Sequence, residues 1–230
     1  MQFHRLCQAH IRPGSRILEI GAGPSNRLNL TSPYLATLGA VVGIDTSDEV
    51  LQNAHLKEAY VYGGQTFPFG AEAFDACVSN FVLEHVQAPA QHFQEVARVL
   101  RPGGTYCFRT PNLWHYVGLA SRVLPYGLHR RYAHRLRGLH VGDHEPYPVF
   151  YQANTRGAIA RWCQCSGLRV AELHLVEKEP SYGRSHEGLF WLMMLYERIV
   201  NSSPLFWAVR ANILAAASKP GAPRAEPPAS

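Results

Sequence analysis

The sequence has no hydrophobic run long enough to cross a membrane. A spanning helix needs about 20 apolar residues, and the nearest approach, LFWLMMLY at 189–196, is cut short by Glu197 and Arg198. The opening residues MQFHRLCQAHIRPGS contain no continuous apolar core of the kind found in signal peptides. We therefore expect neither a secretion signal nor a membrane span, and a cytoplasmic location.

Cysteine is scarce and irregularly spaced. The chain has five cysteines in 230 residues and none of them forms a CxxC pair. Cys163 and Cys165 lack the second half of a zinc-ligand pattern, and no set of histidines and carboxylates repeats at ligand spacing. These absences argue against a disulfide scaffold and a metal site, and they predict reduced thiols in a cytoplasmic protein.

Acidic residues are absent from one stretch of the chain, 121–140. The formal net charge is +5, and this stretch alone carries five arginines and three histidines. Such a block is usually a solvated face, but it also occurs where a protein meets an anionic partner. Both interpretations stay open from the sequence.

The first 110 residues alternate short apolar runs with segments of helical period. The apolar runs lie at 16–20, 40–44, 59–63, 74–79 and 105–110, and the intervening helices are predicted near 28–38, 47–56 and 89–100. Strands that alternate with helices at this spacing predict an α/β fold with a doubly wound, Rossmann-like parallel sheet.

After residue 110 this rhythm is interrupted and then resumes. Residues 112–150 show no clean period, which predicts a cap or lid inserted after the fifth strand. A helix capped by Asn154, a strand at 168–176 and an apolar helix near 187–200 follow. We expect one domain over 1–220 and a disordered tail over 221–230, because its proline, alanine and glycine cannot form a core.

The loop in RILEIGAGPSNRL (16–28) has the character of a ligand site. Gly21 and Gly23 let a ligand approach the backbone, and the following helix favours an anionic group. Asn26 stands where a dinucleotide fingerprint needs a third glycine, which weakens a nicotinamide or flavin site. Glu19 ends the first strand, and Asp45 ends the second, where a carboxylate can accept the hydroxyls of a ribose.

Four stretches together carry a resemblance to a known family. ILEIGAGPS, VVGIDTSDEVL, FPFGAEAFDACVSNFVLEHV and FQEVARVLRPGGTYCFRTPN resemble, in order and spacing, the motifs of the class I S-adenosylmethionine-dependent methyltransferases. The match is closest to the small-molecule subgroup that includes ubiquinone-pathway enzymes, and it covers residues 14–112. The resemblance implies seven strands, the last antiparallel and inserted between the fifth and sixth, so 211–218 is expected to be a strand despite its alanines.

The resemblance also implies a cofactor, S-adenosyl-L-methionine, and a set of residues that bind it. Glu19 would orient the loop or the methionine amino group, and Asp45 would bind the ribose hydroxyls. An acid that contacts the adenine in many members is missing here, so adenine recognition would use backbone groups or the Gln65 amide. The full implied set is Glu19, Gly21, Gly23, Asp45, Thr46, Gln65, Asn80 and Phe81.

Candidates for a catalytic base are less specific. Methyl transfer depends mainly on holding a nucleophile in line with an activated methyl group, and a base matters only for a hydroxyl or a protonated amine. His85, after the fourth strand, and His115, in the inserted region, are the first candidates, with capping or packing as the structural alternative. Tyr116, His129, Asp143 and His144 are further candidates.

Three functions remain to be compared. A methyltransferase acting on a small molecule, glycan or lipid is preferred over a non-catalytic binding subunit of the same fold and over an NAD-type oxidoreductase. Nucleic acid is an unfavoured partner, because the chain reads SNFV where base-amino methyltransferases carry Asn-Pro-Pro-Tyr. The basic block and the aromatics near 187–207 also suggest peripheral contact with the inner membrane surface, although such aromatics could equally cover the sheet.

Overall fold

A computed structural model describes residues 2–25, 30–116, 148–177 and 187–221. Most of the predicted cap, including the basic block, His129, Asp143 and His144, and nearly all of the predicted tail therefore lie outside the described residues. The strands are β1 (Ser15–Ile20), β2 (Gly39–Asp45), β3 (Glu58–Val61), β4 (Phe74–Asn80), β5 (Leu100–Pro111), β6 (Arg169–Val176) and β7 (Asn212–Ser218). The α-helices are α1 (Gln2–His10), α2 (Thr31–Ala36), α3 (Pro89–Val99), α4 (Arg156–Cys165) and α5 (Glu187–Ser202).

The seven strands form one sheet in the order β3-β2-β1-β4-β5-β7-β6. Strands β1 to β5 pair in parallel, and β7 is antiparallel to both β5 and β6. This confirms the predicted doubly wound sheet with its last strand inserted between the fifth and sixth. The alanines of β7 are fully buried between two neighbours, so pairing and burial override their helical propensity.

Two apolar layers cover the sheet. Phe74, Phe93 and Phe108 belong to the layer that includes α3 and α4, and Phe3 and Leu6 bring α1 onto the opposite face. Helix α1 was not predicted from the sequence. Because helices cover both faces of the sheet, a ligand site is expected at the edge where the parallel strands end.

Three predicted elements differ from the structure. The α-helix predicted at 47–56 is wrong: the chain forms a short 3₁₀ helix at Asp48–Gln52. Oγ of Ser47 accepts from the Glu49 amide at its start, and its end is followed by Asn53, which is extended and donates to the Gly23 carbonyl. The helix predicted at 28–38 is shorter than expected: it runs over Thr31–Ala36, and residues 28–29 lie outside the described ranges. Thr155, not Asn154, caps α4, through a hydrogen bond from the Ala158 amide at 3.2 Å.

Within the described ranges, no helix is both long and apolar enough to cross a membrane. The five cysteines are free, and four of them are buried. No group of three or more metal-ligating side chains occurs among the residues that the structure describes.

Candidate active site at the carboxyl edge of the sheet

The glycine loop begins where β1 ends, and it is tied to β2 through its backbone. The amides of Gly21 and Ala22 donate to the Ile44 carbonyl at 2.8 and 3.2 Å. Gly21 has a φ of 68°, and a Cβ at this position would overlap Cγ2 of Val82. Glycine is therefore required here both by the turn and by the close approach of the segment after β4.

Gly23 borders open space. Its φ is 57°, and a Cβ built on it would meet no described atom within 4 Å. The Gly23 amide donates to Oδ2 of Asp45 at 2.9 Å, and its carbonyl accepts from Nδ2 of Asn53 at 3.0 Å. The backbone of the loop is thus held by hydrogen bonds on one side, and no described atom lies close to the Cβ position of Gly23 on the other, as a ligand that lies against the backbone requires.

Asp45 is fixed at the end of β2. Its Oδ1 accepts from the Ser47 amide at 3.0 Å, while Oδ2 accepts from Gly23. A carboxylate has about four acceptor positions, so each oxygen can take a further hydrogen bond. The carboxylate is half-buried and is therefore oriented by the backbone and still open to donors from a ligand.

Glu19 is buried at the end of β1, with only 3% of its surface exposed. Its Oε2 has no hydrogen-bond partner among the described residues. Burial raises the pKa of this carboxyl to about 8, the nearby Asp45 charge also raises it, and a hydrogen bond with Ser32 lowers it. An orphaned buried oxygen is costly, so this carboxyl is poised for a donor or a cation.

The raised pKa of Glu19 predicts a pH-dependent stability. The folded state keeps the proton up to about pH 8, whereas the unfolded chain loses it near the ordinary value of 4.5. The contribution of Glu19 to the free energy of unfolding is therefore fully present below pH 4.5, and it is lost as the pH rises from there to about 8. We expect Glu19→Gln to gain stability relative to the unsubstituted protein between about pH 5 and about pH 8, by a few kcal/mol at most. Urea unfolding at both pH values measures it, and equal differences at the two values would contradict the buried carboxyl.

Thr46 and the segment 63–65 face each other beyond β2 and β3. A Cβ built on Gly64, whose φ is 79°, would lie 3.5 Å from Cγ2 of Thr46. Thr46, Gly64 and Gln65 are all exposed. The two segments predicted to surround an adenine are therefore brought together, and Gln65 lies on the same stretch.

Asn80 ends β4 at the same edge, and Phe81 follows it. Nδ2 of Asn80 donates to Oγ1 of Thr31 at 2.8 Å, and its Oδ1 accepts from Nε of Arg109 at 2.7 Å. Phe81 has a φ of 59°, a strained value for a bulky residue. Its amide donates to the Arg109 carbonyl at 2.8 Å, and its ring is partly exposed.

The two predicted catalytic histidines lie in different surroundings. Nδ1 of His85 hydrogen-bonds the Pro148 carbonyl at 2.9 Å, and burial lowers the pKa of this ring while that bond raises it. His85 therefore joins the segment after β4 to the return of the inserted region.

His115 is buried on the other side of β5, and burial lowers its pKa to about 4. Its ring packs on Tyr116 and Tyr196, with centroids 4.1 and 5.8 Å apart, and its Nε2 lies 3.7 Å from Oε1 of Glu177. The structure groups it with β6 and α5, so it does not bring His115 to the glycine loop.

Several site residues were missed by sequence reasoning. Asn53 binds Gly23 and Oγ of Ser32 at 3.0 Å each, so it connects the loop to α2. Thr31 and Ser32, at the start of α2, are buried beside this connection. The only available signal was that buried Ser, Thr and Asn side chains need partners, and burial is not visible in a sequence.

The same edge also carries a pocket remote from the glycine loop. It has a volume of about 310 Å³ and lies between the end of β5 and the start of α4, with Asn112, Trp114, Arg156 and Leu175 among its lining residues. None of the residues predicted for the cofactor lines it.

The fold and this edge define an α/β protein with a doubly wound sheet, in which a glycine loop and an oriented carboxylate lie at the ends of β1 and β2. Residues 18–108 match the family profile described as Methyltransferase domain. The ubiquinone biosynthesis O-methyltransferase of Xanthomonas campestris is 30% identical over 226 residues, which cover 90% of this chain and 77% of that protein. The chain therefore belongs to the S-adenosylmethionine-dependent methyltransferases, the family predicted by its motifs.

Other matches cover a shorter stretch of sequence or show the fold alone. The demethylmenaquinone methyltransferase of Symbiobacterium thermophilum is 26% identical over 117 residues, which cover 46% of this chain. The chain spans less than half the length of that relative and of an uncharacterised transposon protein of Streptomyces fradiae, 47% and 31% respectively. Geranyl diphosphate C-methyltransferase from Streptomyces coelicolor shares the fold, with a TM-score of 0.58, 15% identity and 94% of this chain and 78% of that one covered.

The residues present fit the cofactor of this family, S-adenosylmethionine. The orphaned Oε2 of Glu19 and the open side of Gly23 lie at the end of β1, and Asp45 offers acceptors at the end of β2. A ligand with a cationic amino group at one end and a ribose diol at the other matches this set.

Proposed function

We propose that this protein transfers the methyl group of S-adenosylmethionine to a small-molecule acceptor by in-line displacement. The single observation that carries the proposal is the arrangement around Gly23: a backbone with no described atom within 4 Å of its Cβ position, a fixed Asp45 carboxylate, and a Glu19 Oε2 that has no hydrogen-bond partner among the described residues. The bound cofactor supplies an activated methyl group on a sulfonium. The chain's part is therefore to hold the two reactants in line and to exclude water.

Each residue at this edge has a role in the proposal. Glu19 orients the methionine amino group, and Gly21 and Gly23 lie along the methionine moiety. Asp45 binds the ribose hydroxyls, with Thr46 and Gln65 beside the adenine. Asn80 and Phe81 border the methyl-donor end, because they lie at the carboxyl end of β4, the strand next to β1 in the sheet.

His85 is the preferred base where the acceptor is a hydroxyl. It follows Asn80 and Phe81 along the same connection, and its lowered pKa favours the neutral ring that accepts a proton. The contacts of His115 favour a packing role. The segment 112–150 is proposed as the cap over the acceptor, because both of its described ends return to this edge.

The names of the relatives support the proposed acceptor class. Their names specify ubiquinone, demethylmenaquinone and geranyl diphosphate as the molecules concerned, so we propose a small molecule, with a lipid-type or glycan acceptor as the narrower alternatives.

Radiolabelled S-adenosylmethionine, incubated with the protein and a bacterial lysate, tests this proposal. We expect protein-dependent label in the small-molecule or lipid-extractable fraction. Label confined to nucleic acid or protein would contradict the acceptor class. An absence of transfer together with tight cofactor binding would favour the non-catalytic binding subunit.

We further propose a cytoplasmic protein that contacts the inner membrane surface peripherally. Trp191, Leu195 and Ile199 follow one another at four-residue spacing on α5 and are 62%, 55% and 47% exposed, and Phe206 is exposed nearby. Such a stripe is typical of interfacial helices, and the arginines of 121–140 would add attraction to anionic lipids.

Flotation with anionic vesicles tests the membrane contact. We expect the protein to float with phosphatidylglycerol vesicles at low salt, where charge attraction is strongest, and Trp191→Ser combined with Leu195→Ser to reduce the floated fraction severalfold. Neutral phosphatidylcholine vesicles are the control. Protein that stays in the soluble fraction at low salt would contradict the contact.

A further inference from the structure

Arg109 lies near the end of β5, where it has no ion pair with any residue that the structure describes. Its Nε donates to Oδ1 of Asn80 at 2.7 Å, and its guanidinium lies over the rings of Phe81 and Phe3, 4.4 and 5.3 Å from their centroids. Among the described residues, no carboxylate oxygen lies within 4.0 Å of it, and its terminal nitrogens donate no hydrogen bond. The cation is therefore positioned by a neutral amide and two aromatic faces.

This arrangement is costly for a structural arginine. The side chain is half-buried, and burial lowers the pKa of Arg109, with the charges of Cys7 and Glu84 acting in the opposite direction. Fully buried arginines are almost always paired, whereas this half-buried one has no ion pair among the described residues. Here the stacking fixes the plane of the guanidinium, and a planar guanidinium with unused N–H groups is suited to a carboxylate or a phosphate.

The position of Arg109 relates it to the proposed active site. Asn80 pairs with Arg109 across β4 and β5, and Ile20 of β1 pairs with Ser79 and Ile44 on its two sides. Adjacent strands lie about 4.8 Å apart, so three spacings place Arg109 about 14 Å from Asp45 along the edge. Arg109 thus lies on the side of the methyl-donor end that is away from the ribose.

A chain of polar contacts connects Arg109 with the glycine loop. Arg109 contacts Asn80, Asn80 contacts Thr31, and the neighbouring Ser32 contacts Asn53, which binds Gly23. The strained backbone of Phe81 is held by the Arg109 carbonyl. The arginine is therefore built into the same framework that fixes the glycine loop.

We infer that Arg109 binds an anionic group, a carboxylate or a phosphate, on the methyl acceptor. This inference rests on the proposed methyltransferase function. It names a property of the acceptor that the fold alone does not give, namely a negative charge near the atom that receives the methyl group. The carboxylate of the cofactor's methionine is the other possible source of such an anion, and the experiment separates the two.

The test uses S-adenosylhomocysteine, which retains the methionine carboxylate, followed by inorganic phosphate and benzoate as probes of the acceptor side. Calorimetry first measures the affinity of the unsubstituted protein and of Arg109→Met for S-adenosylhomocysteine, and we expect values within about threefold. The saturated proteins are then titrated with each probe. We expect millimolar binding to the unsubstituted protein and a loss of about tenfold or more in Arg109→Met, since this variant removes the charge-assisted hydrogen bonds.

Two controls separate binding from folding. Arg101→Met removes an exposed arginine at the start of the same strand, paired with Asp75, and should bind both probes normally. Arg109→Lys keeps the charge and should retain phosphate binding better than Arg109→Met does. If both Arg109 variants fail to fold, the unsubstituted protein is modified with phenylglyoxal instead, and the modified arginines are identified by peptide mass. Phosphate should protect Arg109 from modification and leave Arg101 reactive.

The outcomes are distinct. Failure of the unsubstituted protein to bind S-adenosylhomocysteine would contradict the proposed function itself. Normal S-adenosylhomocysteine binding with no probe binding, or with probe binding unaffected by Arg109→Met, would overturn the inference. A large loss of S-adenosylhomocysteine affinity in Arg109→Met would assign the arginine to the cofactor's carboxylate instead.

Discussion

Gly23→Val should abolish measurable binding of S-adenosylhomocysteine. The Cβ and both methyl groups of valine would occupy the space that borders Gly23, which is clear of described atoms to at least 4 Å from the Cβ position. That space is where the proposal places the methionine moiety, and a ligand cannot share it with a branched side chain. We expect calorimetry to show that the affinity falls by about 100-fold or more. Each tenfold loss corresponds to about 1.4 kcal/mol of binding free energy.

The matched control is Gly14→Val. Gly14 has a φ of 80° and also faces open space, but it precedes β1 and so lies at the opposite edge of the sheet. Both valines carry the same backbone strain, about 1–3 kcal/mol, and the two variants should lose similar thermal stability. Only Gly23→Val should lose the ligand. Normal binding by Gly23→Val, or equal losses in the two variants, would mean that the loop is only a turn.

Asp45→Ala should weaken binding by about 1–3 kcal/mol, a factor of about five to 150. The substitution removes the acceptors that we propose for the two ribose hydroxyls. It also releases the amides of Gly23 and Ser47, which the carboxylate now holds at 2.9 and 3.0 Å. The effect therefore combines a lost contact with a loosened loop, and calorimetric titration with S-adenosylhomocysteine measures their sum.

Two further variants help to interpret the loss of affinity in Asp45→Ala. Asp45→Asn keeps the side-chain shape but replaces one acceptor oxygen by a donor, so it should retain part of the affinity. Asp48→Ala removes an exposed acid three residues later and should bind normally, which excludes a general effect of charge. Unchanged affinity in Asp45→Ala would remove Asp45 from the site.

The sequence predicted the sheet well because its signals are local. The runs at 16–20, 40–44 and 74–79 coincide closely with β1, β2 and β4, since buried parallel strands are short, apolar and separated by helices. The β7 assignment came from the family resemblance, because its alanines by themselves favour a helix. Helix α1 was missed, since its core contacts are few and fall on a mostly polar segment.

The sequence predicted only those site residues whose positions follow from the order of strands and glycines along the chain. Glu19, Gly23 and Asp45 were identifiable because strand ends and glycines have fixed positions in this fold. The contacts of Asn53 with Gly23 and of Arg109 with Asn80 depend on side chains that meet from distant segments of the chain. His115 was a reasonable candidate by its residue type, but only the structure shows it packed against Tyr196 on the far side of β5.

The most direct test of the central claim is a calorimetric titration of the unsubstituted protein with S-adenosylhomocysteine, alongside NAD as a competing ribose-containing ligand. Our account predicts one equivalent of S-adenosylhomocysteine bound at a single site and no comparable binding of NAD, because Asn26 stands where the dinucleotide pattern needs a glycine. An absence of S-adenosylhomocysteine binding, or tighter binding of NAD, would contradict it.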